Sequence, residues 1–320
     1  MKKETVKKLA FSLGFVALLI GLILLLSLLV FSEESDRSKG ALDPSIRGVY
    51  DEPENTVDVL MVGDSETYSS LIPLQLFEEY GVTSYCCATS GQLLSDTEEI
   101  LDRVFSTQSP KVVILETNAI FRKVSTSNVM LRELGGIFSI FTNHNKWKEI
   151  GGNGGVTDDE SACDLKGYRF STKVAAVYET GKAKDKESVR IASQNRYYVE
   201  WIKELCDENG ARLILVSAPS ALNWSEGRHE RLAALAEEVG VAFVDMNLLS
   251  DEVPIDWKTD TRDHGDHLNY FGAKKATAFL GKYLSENASL PDRRTDPSCE
   301  AWNREVALFH AMIEADKPIE

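Results

Sequence analysis

Four short stretches of the chain carry residue types that can move a proton or hold a developing negative charge. The first is Gly63-Asp64-Ser65-Glu66. A serine placed directly after an apolar, β-branched run stands where a strand ends and a helix begins. The free N–H groups and positive dipole end of a helix N-terminus favour an alkoxide-like oxygen and the anion that follows its attack on a carbonyl. Alone, such a serine is more often a helix cap. The second stretch is Ala88-Thr89-Ser90-Gly91-Gln92, where a glycine lets its N–H come close to a ligand, or simply makes a turn. The third is Glu116-Thr117-Asn118, whose asparagine amide can donate to an oxyanion or cap a turn. The fourth is Asp263-His264-Gly265-Asp266-His267-Leu268-Asn269. A histidine acting as a base needs a carboxylate to fix its tautomer, and one loop can supply both. Asp263, His264, Asp266 and His267 are also possible metal ligands. Adjacent ligands on a short loop rarely close a tetrahedral site, and no H-E-x-x-H or second cysteine/histidine cluster supports one. Neither a metal nor a cofactor is expected.

These stretches need elements to position them. Val57 to Val62 reads as a buried strand, Ser65 to Tyr80 as a helix broken after Pro73, and Val82 to Cys86 as a second strand. Leu93 to Phe105 has helical spacing, and Lys111 to Leu115 is a third strand. From Phe121 to about Ser188 the rhythm breaks. This part holds Asn143-His-Asn-Lys-Trp147, Gly151-Gly152-Asn153-Gly154-Gly155 and a charged run from Lys182 to Glu187, and reads as an insertion with mobile loops. The alternation then resumes: helix Ile191–Glu208, strand Arg212–Ser217, helix His229–Val239, strand Val241–Asp245 and helix Tyr270–Leu284. Strands alternating with helices imply crossover connections and a mostly parallel sheet. The expected fold class is therefore α/β, a flavodoxin-like three-layer α/β/α sandwich, with the site at the carboxyl ends of the strands. Trp302, Val306, Phe309 and Met312 give the tail, 291–320, helical spacing and an apolar face for packing on the body.

Serine, glycine, asparagine and histidine, in that order and each at a predicted strand end, form the ordered pattern of the SGNH (GDSL-like) hydrolases. The chain resembles that family over about 56–285, within a catalytic domain placed at 56–290. It lacks G-x-S-x-G, so an α/β-hydrolase nucleophile elbow is not indicated. The resemblance implies Ser65 as nucleophile and His267 as base. It implies an oxyanion hole made by the N–H groups of Ser65 and Gly91 with the Asn118 side chain. The family's acid usually lies three residues before the histidine, and here His264 holds that place. Asp263 and Asp266 are the nearest carboxylates; Asp263 is preferred because immediate neighbours seldom face one another. The second block also departs, reading Cys86-Cys-Ala-Thr-Ser-Gly91 where the family often has N-x-G-x-S-G.

Lys2, Lys3, Lys7 and Lys8 precede an uncharged apolar run from Leu9 to Phe31, and Glu33, Glu34 and Asp36 follow it. About 20 apolar residues span a bilayer core as a helix. Basic residues before the run and acids after it predict a single-pass anchor at 9–31, with residues 1–8 cytoplasmic, a linker at 32–55 and the body outside the plasma membrane. With this anchor, Gly-Asp-Ser-Glu, the middle insertion and Asp266-His-Leu-Asn-Tyr-Phe-Gly272, the chain is similar to the extracytoplasmic proteins of cell-wall O-acetylation and teichoic-acid D-alanylation. That branch implies a membrane-bound O-acyltransferase as partner and an envelope polysaccharide as substrate. The formal net charge of −15 over 320 residues disfavours nucleic acid. The five cysteines, Cys86, Cys87, Cys163, Cys206 and Cys299, fit no zinc spacing and read as buried thiols. The expected activity is that of a serine esterase or O-acyltransferase, most simply for acetyl groups. A non-catalytic scaffold and a metal-dependent phosphoesterase using Asp263–His267 are the competing readings.

Overall fold

The computed structural model describes residues 44–122, 164–177 and 190–316, with scattered helical positions between 7 and 22. The chain divides into two units, 42–123 with 159–320, and 1–41 with 124–158. The first contains everything that follows. Among the described residues no helix is long and apolar enough to cross a membrane; the anchor expected at 9–31 lies largely outside them, as do Asn143–Trp147, Gly151–Gly155, Lys182–Glu187 and Cys163.

Five parallel strands form one sheet in the order β2-β1-β3-β4-β5. They are β1 (Val59–Gly63), β2 (Ser84–Ala88), β3 (Val112–Glu116), β4 (Arg212–Ser217) and β5 (Ala242–Asp245). Every residue of β1, β2 and β3 is buried, as expected of parallel strands covered on both faces. Side chains alternate between those faces. Leu60, Val62, Tyr85, Cys87, Val113, Leu115, Leu213 and Leu215 share one core with Leu101, Ile202 and Leu235. Val59, Met61, Cys86, Ala88, Val112, Ile114, Ile214 and Val216 share the other with Tyr68, Leu76 and Leu280. Helices α3 (Leu94–Val104), α4 (Ser193–Glu208) and α5 (Glu226–Val239) thus cover one face, and α1 (Ser65–Ser70), α2 (Pro73–Tyr80) and α6 (Tyr270–Asn287) the other. This is the expected three-layer sandwich. Its chain order reverses between β1 and β3, which opens a crevice at their carboxyl ends.

One expectation is corrected. The break in the first helical region comes before Pro73, at Leu71 and Ile72, both extended. A proline disfavours helical backbone in the residue before it, yet suits the first turn of a helix, so Pro73 opens α2. Of the insertion expected at 121–188, the described residues include 121–122 and 164–177. Phe121 ends a 3-10 turn, Thr117–Phe121, that continues β3. Residues 164–177 run without helix or strand, through a turn at Lys166 and Gly167, and are tied to the body: Arg169 N donates to Tyr68 O, Ala175 N to Thr261 O and Val177 N to Trp257 O. Gly167 passes so close to Cys86 that a Cβ would stand 2.1 Å from its carbonyl oxygen.

Cys86, Cys87, Cys206 and Cys299 are buried free thiols. The tail folds as α7 (Glu300–Ala315), with Trp302 and Phe309 packed on Ile72, Leu74, Phe77 and Tyr168. Trp302 is 1% exposed and donates through Nε1 to Glu52 Oε2 at 2.9 Å. The Lys166 ammonium lies 5.0 Å from its ring centroid. Removing a buried indole leaves a cavity and an unmatched acceptor. Trp302→Ala is expected to cost about 3–5 kcal/mol, measured by urea unfolding; an unchanged midpoint would contradict this packing.

Candidate active site

Ser65 stands at the carboxyl end of β1, as the first residue of α1. The turn that places it is tightly specified. Gly63 has φ +144°, and a Cβ there would meet Thr67 Oγ1 at 2.5 Å and Glu116 Cβ at 2.9 Å. Asp64 caps the helix, its Oδ1 accepting from Glu66 N at 3.0 Å. Ser65 is 8% exposed. As a first-turn residue its N–H has no intrahelical acceptor and remains available to an anion.

His267 comes from the long loop between β5 and α6. A bridge between Thr261 and Leu268 pinches the loop, Thr261 Oγ1 donates to His267 O at 3.0 Å, and Asn269 caps α6 through Phe271 N and Gly272 N. The imidazole spans the site. Nε2 lies 2.8 Å from Ser65 Oγ, and Nδ1 lies 2.5 Å from Asp263 Oδ2. With Nδ1–H donating to Asp263, Nε2 accepts the serine proton. Asp263 Oδ1 also accepts from His267 N at 2.7 Å. Asp266 Oδ2 lies farther from Nδ1, at 3.6 Å, so Asp263 is the carboxylate that holds the ring. The spacing of four rather than three residues is absorbed by His264 at φ +66° and Gly265 at φ +100°. These left-handed residues wind one extra position into the turn, and His264 itself faces Ala176 O rather than the serine.

Burial alone would lower the His267 pKa. The hydrogen bond to Asp263 and the charges of Asp266 and Asp263 outweigh it and hold the imidazole above its ordinary value. Burial would raise Asp263, and its hydrogen bonds to the His267 ring and N–H hold it low instead. Asp263, Asp266 and His267 also offer ligand atoms within 4.8 Å of one another. Both ring nitrogens of His267 are already engaged, by Ser65 and Asp263, so the cluster fits a triad better than a metal centre.

Asn118, in the turn after β3, lines the same cavity as Ser65. Its Nδ2 donates to Asp64 Oδ2 at 2.9 Å and its Oδ1 accepts from Arg228 Nη1 at 3.0 Å. Both ends of the amide are fixed, and the second N–H of Nδ2 is left over for an oxyanion. Gly91 follows β2 in the left-handed conformation, φ +70°, and is exposed. The parallel register sets Gly63 beside Ala88, which brings the Gly91 turn to the same edge as Ser65. Its amide remains a donor implied by the sequence pattern rather than one in contact with the serine.

Several residues of the site have no local signature. Arg122 donates through Nε (2.8 Å) and Nη2 to Asp64 Oδ2. Asn223 Nδ2 donates to both Glu66 Oε1 and Asp266 Oδ1, each at 2.6 Å. Glu66 and Glu116 lie buried beneath the crevice. Burial, then the charge of Asp64, pushes Glu66 up to about 7, and burial with the charge of Glu66 pushes Glu116 well above the carboxylate range. Asp64–Arg122 and Glu66–Asn223 join residues 58 and 157 positions apart. The only cue was a charged residue, Glu66, inside an otherwise buried turn.

No protein-family profile and no curated protein matches the sequence. Among solved structures, the chain is similar to a proposed acylhydrolase from Bacteroides fragilis, at 14% identity, covering 78% of this chain and 98% of that one, with a TM-score of 0.42. It is also similar to a lipase/acylhydrolase from Enterococcus faecalis, at 11% identity, covering 73% and 97%, with a TM-score of 0.39. Likeness at this level is one of chain trace, and the chemistry rests on the site itself.

A base must be neutral to accept the serine proton, so activity is lost as pH falls through the raised His267 pKa. The acid limb of kcat/KM is expected above the ordinary imidazole value of about 6.5. Asp263→Asn should cut the rate by about 10⁴-fold, the loss seen when the orienting acid of such a triad becomes its amide. Asp266→Asn should only move the acid limb to lower pH, by removing a charge that favours imidazolium. The reverse ranking in pH–rate profiles would make Asp266 the acid.

Proposed function

We propose that this chain is a membrane-anchored, extracytoplasmic serine esterase or O-acyltransferase of the SGNH type, acting on short acyl esters of an envelope polysaccharide. The observation that carries the chemistry is the continuous line Ser65 Oγ–His267–Asp263, with separations of 2.8 and 2.5 Å. Ser65 Oγ attacks the ester carbonyl while its proton passes to His267 Nε2. The carbonyl oxygen becomes an oxyanion facing the Ser65 N–H and the Asn118 amide. Collapse of the tetrahedral intermediate breaks the ester C–O bond, and His267 returns the proton to the departing alkoxide. The acyl-serine is then taken by water or by an acceptor hydroxyl, activated through the same imidazole. Water makes the protein an esterase, and a sugar hydroxyl makes it a transferase.

The cleft supports a short acyl group. Its volume is about 310 Å³, and of its lining residues Phe121 is the apolar one, beside Ser65, Asn118, Arg122, Asn223, Arg228 and Asp266. A long acyl chain needs an apolar wall, whereas an acetyl group on a polyol does not. The Leu9–Phe31 run and its flanking charges support the anchor and the outward orientation, and an anchored body favours an acceptor at the envelope. A fully assembled triad supports turnover over a purely scaffolding role beside a membrane-bound O-acyltransferase.

The test compares the full-length protein with Ser65→Ala, each incubated with a small activated acetyl ester. Product release and intact mass are followed. Wild type should gain one acetyl group mapped to Ser65, and the variant should release product at least about 10³-fold more slowly. Equal release by two folded proteins would remove Ser65 as the nucleophile.

A further inference from the structure

Asp266 sits beside the imidazole without holding it. Its Oδ2 lies 3.6 Å from His267 Nδ1, behind Asp263 at 2.5 Å, and its side chain is 43% exposed. Exposed ion pairs contribute little by themselves, so a carboxylate this open to water keeps a fixed place beside a ring only if something else holds it. Among the described residues the Asp266 side chain takes one hydrogen bond, from Asn223 Nδ2 to Oδ1 at 2.6 Å.

Asn223 is built to give that bond. It lies in the loop after β4, and its Nδ2 also donates to Oε1 of the buried Glu66, one residue past the nucleophile in α1, at 2.6 Å. A primary amide nitrogen has two hydrogens, and here each has a carboxylate. An amide oxygen in that place would face both acids. The Asn223 backbone is fixed as well: N donates to Ser220 Oγ at 3.2 Å, and O accepts from Arg228 Nη1 at 2.6 Å. Ser220 Oγ lies 3.3 Å from Gly265 O and 3.4 Å from Asp266 O, and Ala221 N donates to Gly265 O at 2.9 Å. The loop after β4 is thus joined to the His267 loop at the point where the Asp266 side chain leaves it.

The charges around this arm are few. Asp263, Asp266 and Arg262 face the imidazole from its own loop, and Ser65 meets it from α1. Burial works to lower His267; the hydrogen bond to Asp263 and then the charge of Asp266 raise it, with Arg262 opposing. Arg122 and Arg228 share the cleft with Asp266. Burial, then the charge of Asp64, pushes Glu66 up to about 7, and its Oε1 accepts from Asn223 whether the carboxyl is ionised or not.

We infer that Asn223 is a positioning residue of this centre: anchored on Glu66, it presents the Asp266 carboxylate to the His267 ring as a second, charge-supplying acid behind Asp263. The inference rests on the acyl-transfer reading for its kinetic readout, while the titration of His267 stands apart from turnover. Without Asn223 the exposed Asp266 side chain turns to water and the ring loses a neighbouring negative charge. Imidazolium is then less favoured and gives up its proton at lower pH, so the acid limb of activity moves down.

The test is a double-mutant cycle on the titration of His267, followed by NMR of the full-length protein labelled in its histidines. The His267 signal is identified by its loss in His267→Gln. Asn223→Ala and Asp266→Asn should each lower the midpoint by about 0.5 or more. The double variant should lower it no further than the larger single effect, because both changes remove the same charge from the ring. Asn223→Ser, whose hydroxyl has one hydrogen and a shorter reach, should shift the midpoint in the same direction, and the acid limb of kcat/KM should follow. An unmoved midpoint in Asp266→Asn would overturn the inference with Asn223 untouched. So would Asn223 variants that leave the midpoint in place, or that move it as far in the Asp266→Asn background as in the wild type, which is the signature of a loosened loop. The expected titrations in a protein that turns over no ester would support the role of Asn223 and count against the acyl-transfer reading alone.

Discussion

A single buried carboxylate holds the site together. Asp64 is 0% exposed, and an ionised group in that position is costly unless every oxygen is matched. Oδ1 accepts from Glu66 N and so fixes the start of the helix that carries Ser65. Oδ2 accepts from Asn118 and Arg122. One side chain thereby sets the helix that carries Ser65, the Asn118 amide on the neighbouring strand end and the guanidinium at the cleft wall. Gly63 before it has no room for a side chain, so the Gly-Asp-Ser order follows from sterics and charge together.

Around Asp64 the site is an alternation of charge. Glu66 and Glu116 lie below, Arg122 and Arg228 above; Asn118 links the layers through an amide held at both ends, and Asn223 through its Nδ2. Burial raises both glutamates beneath Arg228, helped by the charge of Asp64 at each and by that of Glu66 at Glu116. Such a network is favourable only when nearly complete, which explains why so much of this crevice consists of polar side chains bonded to one another.

Much of this was legible in the sequence because strand ends are local features. Apolar β-branched runs marked the five strands, and Ser65, Asn118 and His267 follow strands or precede a helix, where chain order alone locates them. The Asp263–His267 spacing could be noticed but not resolved, since the answer lies in two left-handed residues, His264 and Gly265. Arg122, Asn223, Arg228 and Glu116 could not be read at all. Their roles come from contacts across the sheet, and no periodicity records those. The ties of segment 164–177 to the body could not be read either, because its backbone partners, among them Tyr68, Trp257 and Thr261, are far away in sequence.

The central claim is that Ser65 is activated by His267 within a frame set by Asp64. The most direct measurement is the rate at which a small organophosphonate ester labels the full-length protein and its Asp64→Asn variant, with the modified peptide mapped. Asparagine can still cap α1 but leaves Arg122 without its counter-charge and redirects the Asn118 amide. The expected result is labelling confined to Ser65 and slowed at least about 100-fold in the variant, the scale of losing one oxyanion donor. Equal labelling rates in two folded proteins, or a label on another residue, would contradict the account.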